Sequence, residues 1–166
     1  NIIKKIQPEV HFVCIPTEKD GKPLMSILFQ TIKNILNVSK KGIIIIESTL
    51  TPGTGDQLIK KFLKDKIKNE DFYFVIAPRR DWFVDGTKNL KNMDRVFGGV
   101  NSKSQYIGRK ILSLVCKKLH NASSHKVAEM VKSFENCYRH VDIALANQLS
   151  LAFPKENIRE TLKLVG

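Results

Sequence analysis

The sequence predicts an α/β fold, a parallel β-sheet that gives way to a long helix opening an all-α region, and three observations predict it. Val10–Pro16 (VHFVCIP) and Gly42–Thr49 (GIIIIEST) are apolar, β-branched-rich runs without polar alternation, the pattern of strands buried on both faces. Between them, LMSILFQTIKNIL repeats apolar residues at the helical period and completes a strand–helix–strand unit. Residues 128–148 (AEMVKSFENCYRHVDIALANQ) then hold helical periodicity for about six turns.

The remaining elements follow in order. TPGTGDQLIKKFLKDKI opens with Thr54 and Gln57 at the spacing of a capping box and continues as a helix. DFYFVIAP supplies a third strand, and Arg95–Val100 (RVFGGV) reads as a short fourth. SQYIGRKILSLVCKKL reads as a helix, after which Ser123 or Ser124 offers the N-cap of the long one. The polar stretch Asn121–His125 is the one candidate boundary. Past Ala152, Pro154 stands at a Pro-tolerant first helical position, and KENIRETLKLVG resumes the helix.

A chain of 166 residues with 42% hydrophobic content suits one domain with a sizeable core. No run approaches the roughly 18 apolar residues of a membrane span. Asn1 begins the chain with neither a signal pattern nor an initiator Met, as expected of an excerpt from a longer protein. Cys14, Cys116 and Cys137 form no CxxC and have no His at metal-ligand spacing, so they read as small hydrophobes in a reduced, cytosolic setting. His11, His120, His125 and His140 lack partners at ligand spacing as well, and no metal is expected. Lys plus Arg outnumber Asp plus Glu by 28 to 16, a formal +12 that favours an anionic partner. Charge alone does not choose between nucleic acid, an acidic membrane and a phosphorylated small molecule, and a solvated lysine-rich surface explains much of it. Aromatics interleaved with Lys or Arg on a sheet face are not evident, which disfavours nucleic acid.

In open parallel sheets, ligands bind outside the carboxyl ends of the strands. Three such ends stand out: Pro16-Thr17, Ser48-Thr49 with Pro52-Gly53-Thr54, and Pro78–Gly86 (PRRDWFVDG). The third crowds Arg79, Arg80, Asp81, Trp82 and Asp85 beside Phe83 and Val84, and an Asp there can act as general base if a neighbour tunes it. Capping, turn and surface salt-bridge roles are the alternatives. On the long helix, Val127, Met130, Val131, Phe134, Tyr138, Val141, Leu145 and Leu149 form an apolar stripe. Lys132 and Asn136, four residues apart, stack on one face roughly 6 Å from each other. They fall roughly opposite the stripe, which favours solvent exposure, although Ile143, Ala146 and Asn147 on their side leave room for a contact. No GxSxG, P-loop or GxGxxG is present.

The motifs VCIPT followed by DGKP, IESTLTPGT, NLKNMDRVFGG and AEMVKSFENCYRHVDIALANQL, in that order, resemble the UDP-glucose/GDP-mannose dehydrogenase family over nearly the whole chain. The Glu47-Ser48-Thr49 form and the ENCYRHVDIALANQL helix look most like its UDP-N-acetyl-D-mannosamine (N-acetylhexosamine) branch. The resemblance implies an NAD-dependent enzyme that oxidises the C6 alcohol of a UDP-sugar to a carboxylate. It implies that residues 1–122 are the C-terminal half of a Rossmann-like NAD-binding domain, and that 123–166 begin a helical central domain that joins two subunits into a homodimer. Lys132 matches the family's oxyanion-stabilising lysine and Asn136 its amide partner. Val13, Cys14, Ile15, Pro16 and Thr17 would run along NAD, with Ser48, Thr49 and Leu50 near the nicotinamide or the catalytic water.

After Pro78 the sequence departs from the family, which places a Glu directly after that proline. Counting from Pro78 puts Arg79 there. Counting back from Gly86 aligns Asp81 and Asp85 with two family carboxylates that serve catalysis, substrate and cofactor, and this count keeps the acid, apolar, acid, Gly order. The family's GxGxxG and its nucleophilic Cys, in a GGxCxxxD stretch, are both missing from the 166 residues. The segment alone is therefore expected to be inactive. A non-catalytic remnant serving as a dimerisation module and, more remotely, a basic nucleic-acid-binding domain are the rival readings.

Overall fold

In the computed structural model, which describes residues 5–79, 89 and 91–165, the isoleucine run after Gly42 is an interior strand of a five-stranded sheet. The elements are β1 (Val10–Val13), β2 (Glu18–Lys19), β3 (Lys22–Pro23), α1 (Ser26–Val38), β4 (Gly42–Ile46), α2 (Thr54–Leu58) and α3 (Lys64–Lys68). A π-helical turn, Ile59–Leu63, joins α2 to α3. There follow β5 (Phe72–Ile76), β6 (Asp94–Gly99), α4 (Ser102–Leu112), β7 (Lys118–Asn121), α5 (His125–Ala152) and α6 (Ile158–Val165). The sheet order is β1-β4-β5-β6-β7.

Alternation along the strands sorts the core to two faces. Ile44, Ile46, Phe72, Phe74 and Ile76 pack with Leu28 and Ile32 of α1 and with Leu58 and Leu63. Ile43, Ile45 and Val75 pack on the other face with Leu112 of α4. Both faces being covered explains why these strands read as unbroken apolar runs.

The pairing is parallel for β1/β4, β4/β5 and β6/β7, but β5 and β6 run antiparallel through Val75–Gly99 and Ile76–Gly98. The sheet is therefore mixed, whereas the sequence patterns pointed to parallel strands alone. The fourth helix also ends earlier than its periodicity predicts, at Leu112, and Lys118–Asn121 leave it to pair with Asp94–Phe97 as an edge strand. Asp20 and Gly21, with φ of 53° and 73°, make the two-residue turn of a small β2–β3 hairpin that the sequence reading passed over.

Ser124 caps α5 as expected, its Oγ accepting from Val127 N at 3.3 Å. Pro154 does not start a helix. It lies in a turn, and Asn157 caps α6 instead, accepting from Glu160 N at 3.1 Å. Two compact units result: Asn1–Ser133 holds the sheet and the first turns of α5, and Phe134–Gly166 holds the rest of α5 and α6. No helix among the described residues is long and apolar enough to cross a membrane.

Candidate active site at the carboxyl ends of the strands

Because Val13 pairs in parallel with Ile46, the segments after β1 and β4 leave the sheet side by side. Ser48 Oγ accepts from Ile15 N at 2.8 Å and donates to Ile15 O at 2.7 Å. Thr17 Oγ1 donates to Thr49 O at 2.6 Å. The Ser48 and Thr17 hydroxyls thus hold the two strand ends together, while Cys14 and Pro16 stay exposed and Ile15 and Thr49 partly so. Leu50 is buried beneath them.

Below this strip lies a charge pair that sequence reasoning missed. Glu47, at the end of β4, pairs with Arg95 of β6, and both side chains are buried. Arg95 also donates to Ala77 O at 2.8 Å, so one guanidinium ties together the ends of β4 and β5. A buried ion is tolerated only when paired and hydrogen-bonded, which is what this arrangement supplies. Cys14 Sγ donates to Glu47 Oε2 at 3.0 Å. Although Cys14 reaches solvent along one side, loss of water around the sulfur, and then the hydrogen bond and charge of Glu47, push the thiol up to about 11. It is protonated at neutral pH. Arg79, one of the two candidates for the position after Pro78, donates its backbone N–H to Glu47 O at 3.1 Å. Asp81 and Asp85 lie outside the described residues.

The helix α5 meets this region through its polar side. Glu129, only 2% exposed, accepts from Gly53 N and Gly55 N, each at 2.9 Å. Ser133 Oγ donates to Leu50 O at 3.0 Å. His125 Nε2 lies 3.0 Å from Asp56 Oδ1, and Lys126 Nζ lies 2.7 Å from Asp56 Oδ2. These contacts overturn the expected capping box: the N-cap of α2 is Gly53, and the Thr54 hydroxyl turns back to donate to Thr51 O at 2.7 Å. The orphan amides are satisfied by a carboxylate from a distant helix instead.

Lys132 stands one turn beyond Glu129 and is half-buried, as is Asn136. The periodicity argument for an exposed pair is corrected accordingly. It is the stripe that is open: Met130 and Phe134 are exposed, and Tyr138 is 74% exposed. A signal for this was present, since Ala128, Glu129, Lys132, Ser133 and Asn136 themselves recur at helical spacing. Among the described residues, no group of three or more His, Cys, Asp or Glu could hold a metal ion.

Strand ends of a β-α-β unit, laced by hydroxyls and braced by a long helix bearing Lys132, define a dinucleotide-binding domain of the dehydrogenase type. Residues 3–116 match the NAD binding domain of the UDP-glucose/GDP-mannose dehydrogenase family, and the chain belongs to that family. It is 38% identical over 154 residues to the UDP-N-acetyl-D-mannosamine dehydrogenase of Methanocaldococcus jannaschii, an alignment covering 89% of this chain and 35% of that protein. It is 31% identical over 167 residues to the UDP-N-acetyl-D-glucosamine 6-dehydrogenase of Pseudomonas aeruginosa, covering 95% and 39% respectively. Among solved structures, the UDP-D-ManNAc dehydrogenase of Pyrococcus horikoshii superposes with a TM-score of 0.85 at 29% identity, covering 98% of this chain and 40% of that one. The chain thus spans well under half the length of these relatives. NAD is the cofactor of the matched domain. The residues present fit such a group: Ile15, Pro16 and Thr49 form an uncharged, partly open strip, while the charges of Glu47 and Arg95 are closed on each other.

Proposed function

We propose that this chain is the central part of an NAD-dependent dehydrogenase that oxidises the C6 alcohol of a UDP-N-acetylhexosamine to the carboxylate. Residues 1–122 would be the second half of its NAD-binding domain, and 123–166 the start of its helical dimerisation domain. The observation that carries this reading is the placement of Lys132: the turns of α5 flanking it are fastened to the segment that follows β4, through Glu129 and Ser133. The printed names of the relatives support a UDP-N-acetylhexosamine as substrate.

The reaction converts a CH2OH group, water and two NAD+ into a carboxylate, two NADH and three protons. NAD supplies the hydride acceptor. Lys132 and Asn136 present a cation and an amide to the oxygen that becomes negative at C6, the interaction that most lowers such a barrier in a closed site. Asp81 is the proposed base, Asp85 a contact to sugar and cofactor, and Val13–Thr17 with Ser48, Thr49 and Leu50 the wall along NAD. Cys14 is held protonated and Cys116 is buried, so neither is assigned as nucleophile. The exposed stripe on α5 supports a homodimer formed through that helix.

The test is an assay of the protein encoded around this segment with UDP-N-acetylmannosamine, UDP-N-acetylglucosamine and UDP-glucose. Two NADH per sugar with an N-acetylhexosamine are expected. No NADH from any of the three would contradict the proposal.

A further inference from the structure

We infer that Glu129 is a positioning residue, which closes the start of α2 and thereby sets the Leu50–Gly53 turn against the helix turn that carries Lys132. This rests on the function proposed above. A buried carboxylate is costly unless its oxygens are satisfied. Here each oxygen takes one backbone N–H, from Gly53 and Gly55, at the positive end of a helical segment.

The two glycines make the approach feasible. Gly53 has φ +94°, a left-handed conformation that residues with a Cβ rarely adopt. At Gly55 a Cβ would stand 2.9 Å from Ile76 Cδ1 and 3.1 Å from His125 Cδ2, so a side chain there would crowd β5 and the first turn of α5. Ser133 holds the same turn from the other side of Lys132, through Leu50 O. Lys132 therefore sits between two fastenings, one turn after the first and one residue before the second. Capping of α2 by a local side chain would leave the turn tied to α5 through Ser133 alone.

Glu129→Gln replaces one acceptor by an NH2 group facing an N–H. In the full-length protein, we expect kcat to fall about 10- to 100-fold, the scale of a small misplacement of a catalytic group. KM for NAD and for the sugar should stay within about twofold, because uniform binding is untouched. In a Lys132→Ala background the same substitution should cost almost nothing, since its effect passes through that lysine. Separately, amide exchange at Gly53 and Gly55 in this chain should quicken with Glu129→Gln while Ile44 and Phe74 stay protected.

Unchanged kcat in folded Glu129→Gln, or equal losses with and without Lys132, would overturn the inference. So would unchanged exchange at the two glycines, and that readout holds even if no UDP-sugar is oxidised, which would count against the proposed function alone. Should Glu129→Gln fail to fold, Ser133→Ala provides the second variant: a several-fold drop in kcat at constant KM is expected, and wild-type kcat would refute the assignment.

Discussion

Glu47 receives a guanidinium on one carboxylate oxygen and a thiol on the other. Cys14 therefore titrates as an acid whose folded form holds its proton more tightly than the unfolded chain does. Alkylation of Cys14 by iodoacetamide, followed by mass spectrometry, should rise with a midpoint near 11 rather than at the ordinary cysteine value of about 8.5. By linkage, the stabilisation is complete below the unfolded thiol's pKa and is lost as pH climbs through about 11. Asp56 behaves in the opposite sense. The Lys126 hydrogen bond first, and His125 after it, hold its carboxyl below the usual range. Its contribution is present above about pH 4 and disappears as pH falls through the folded pKa, so amide exchange in the first turn of α5 should accelerate there before the sheet opens. Spacing put Lys132 and Asn136 on one helix face, but periodicity turned that face to solvent, and only the resemblance gave the pair a role. The role of Glu129 was not legible, because helical spacing marks its face while its partners lie 74 and 76 residues away in sequence.

At the scale of elements, apolar runs revealed β4 and β5, since strands covered on both faces need no alternation; β1 shares the apolar pattern but is an edge strand with Val10 and Phe12 exposed, so burial on both faces does not hold for it. β7 escaped because it is a short, polar edge strand, Lys118–Asn121, of the kind that keeps sheet edges from pairing further. The reversed direction of β6 escaped because a strand's own residues do not encode which way it enters the sheet. The entry to α5 is set by a close approach: at Gly98 a Cβ would stand 2.6 Å from the carbonyl carbon of Ser124 and 2.9 Å from His125 N. Main-chain atoms yield little, so Gly98→Ala should destabilise the chain by about 1–3 kcal/mol. The check is a lower urea midpoint with an unchanged slope, and an unmoved midpoint would show that α5 is not seated on this glycine.

For the molecule as a whole, the account rests on a division of labour along α5. Its polar side fastens the first turns to the strand ends, and its exposed apolar stripe is the proposed contact with a second subunit. Phe134→Glu in the full-length protein should shift sedimentation from dimer to monomer, and an undiminished dimer would remove the stripe from the interface. Lys132 is proposed to stabilise negative charge on the reacting oxygen, and kcat of Lys132→Ala in the full-length enzyme reports that role. A fall of about 10²- to 10³-fold, with the melting temperature held, is the predicted result. Wild-type kcat in a folded Lys132→Ala enzyme would contradict the account.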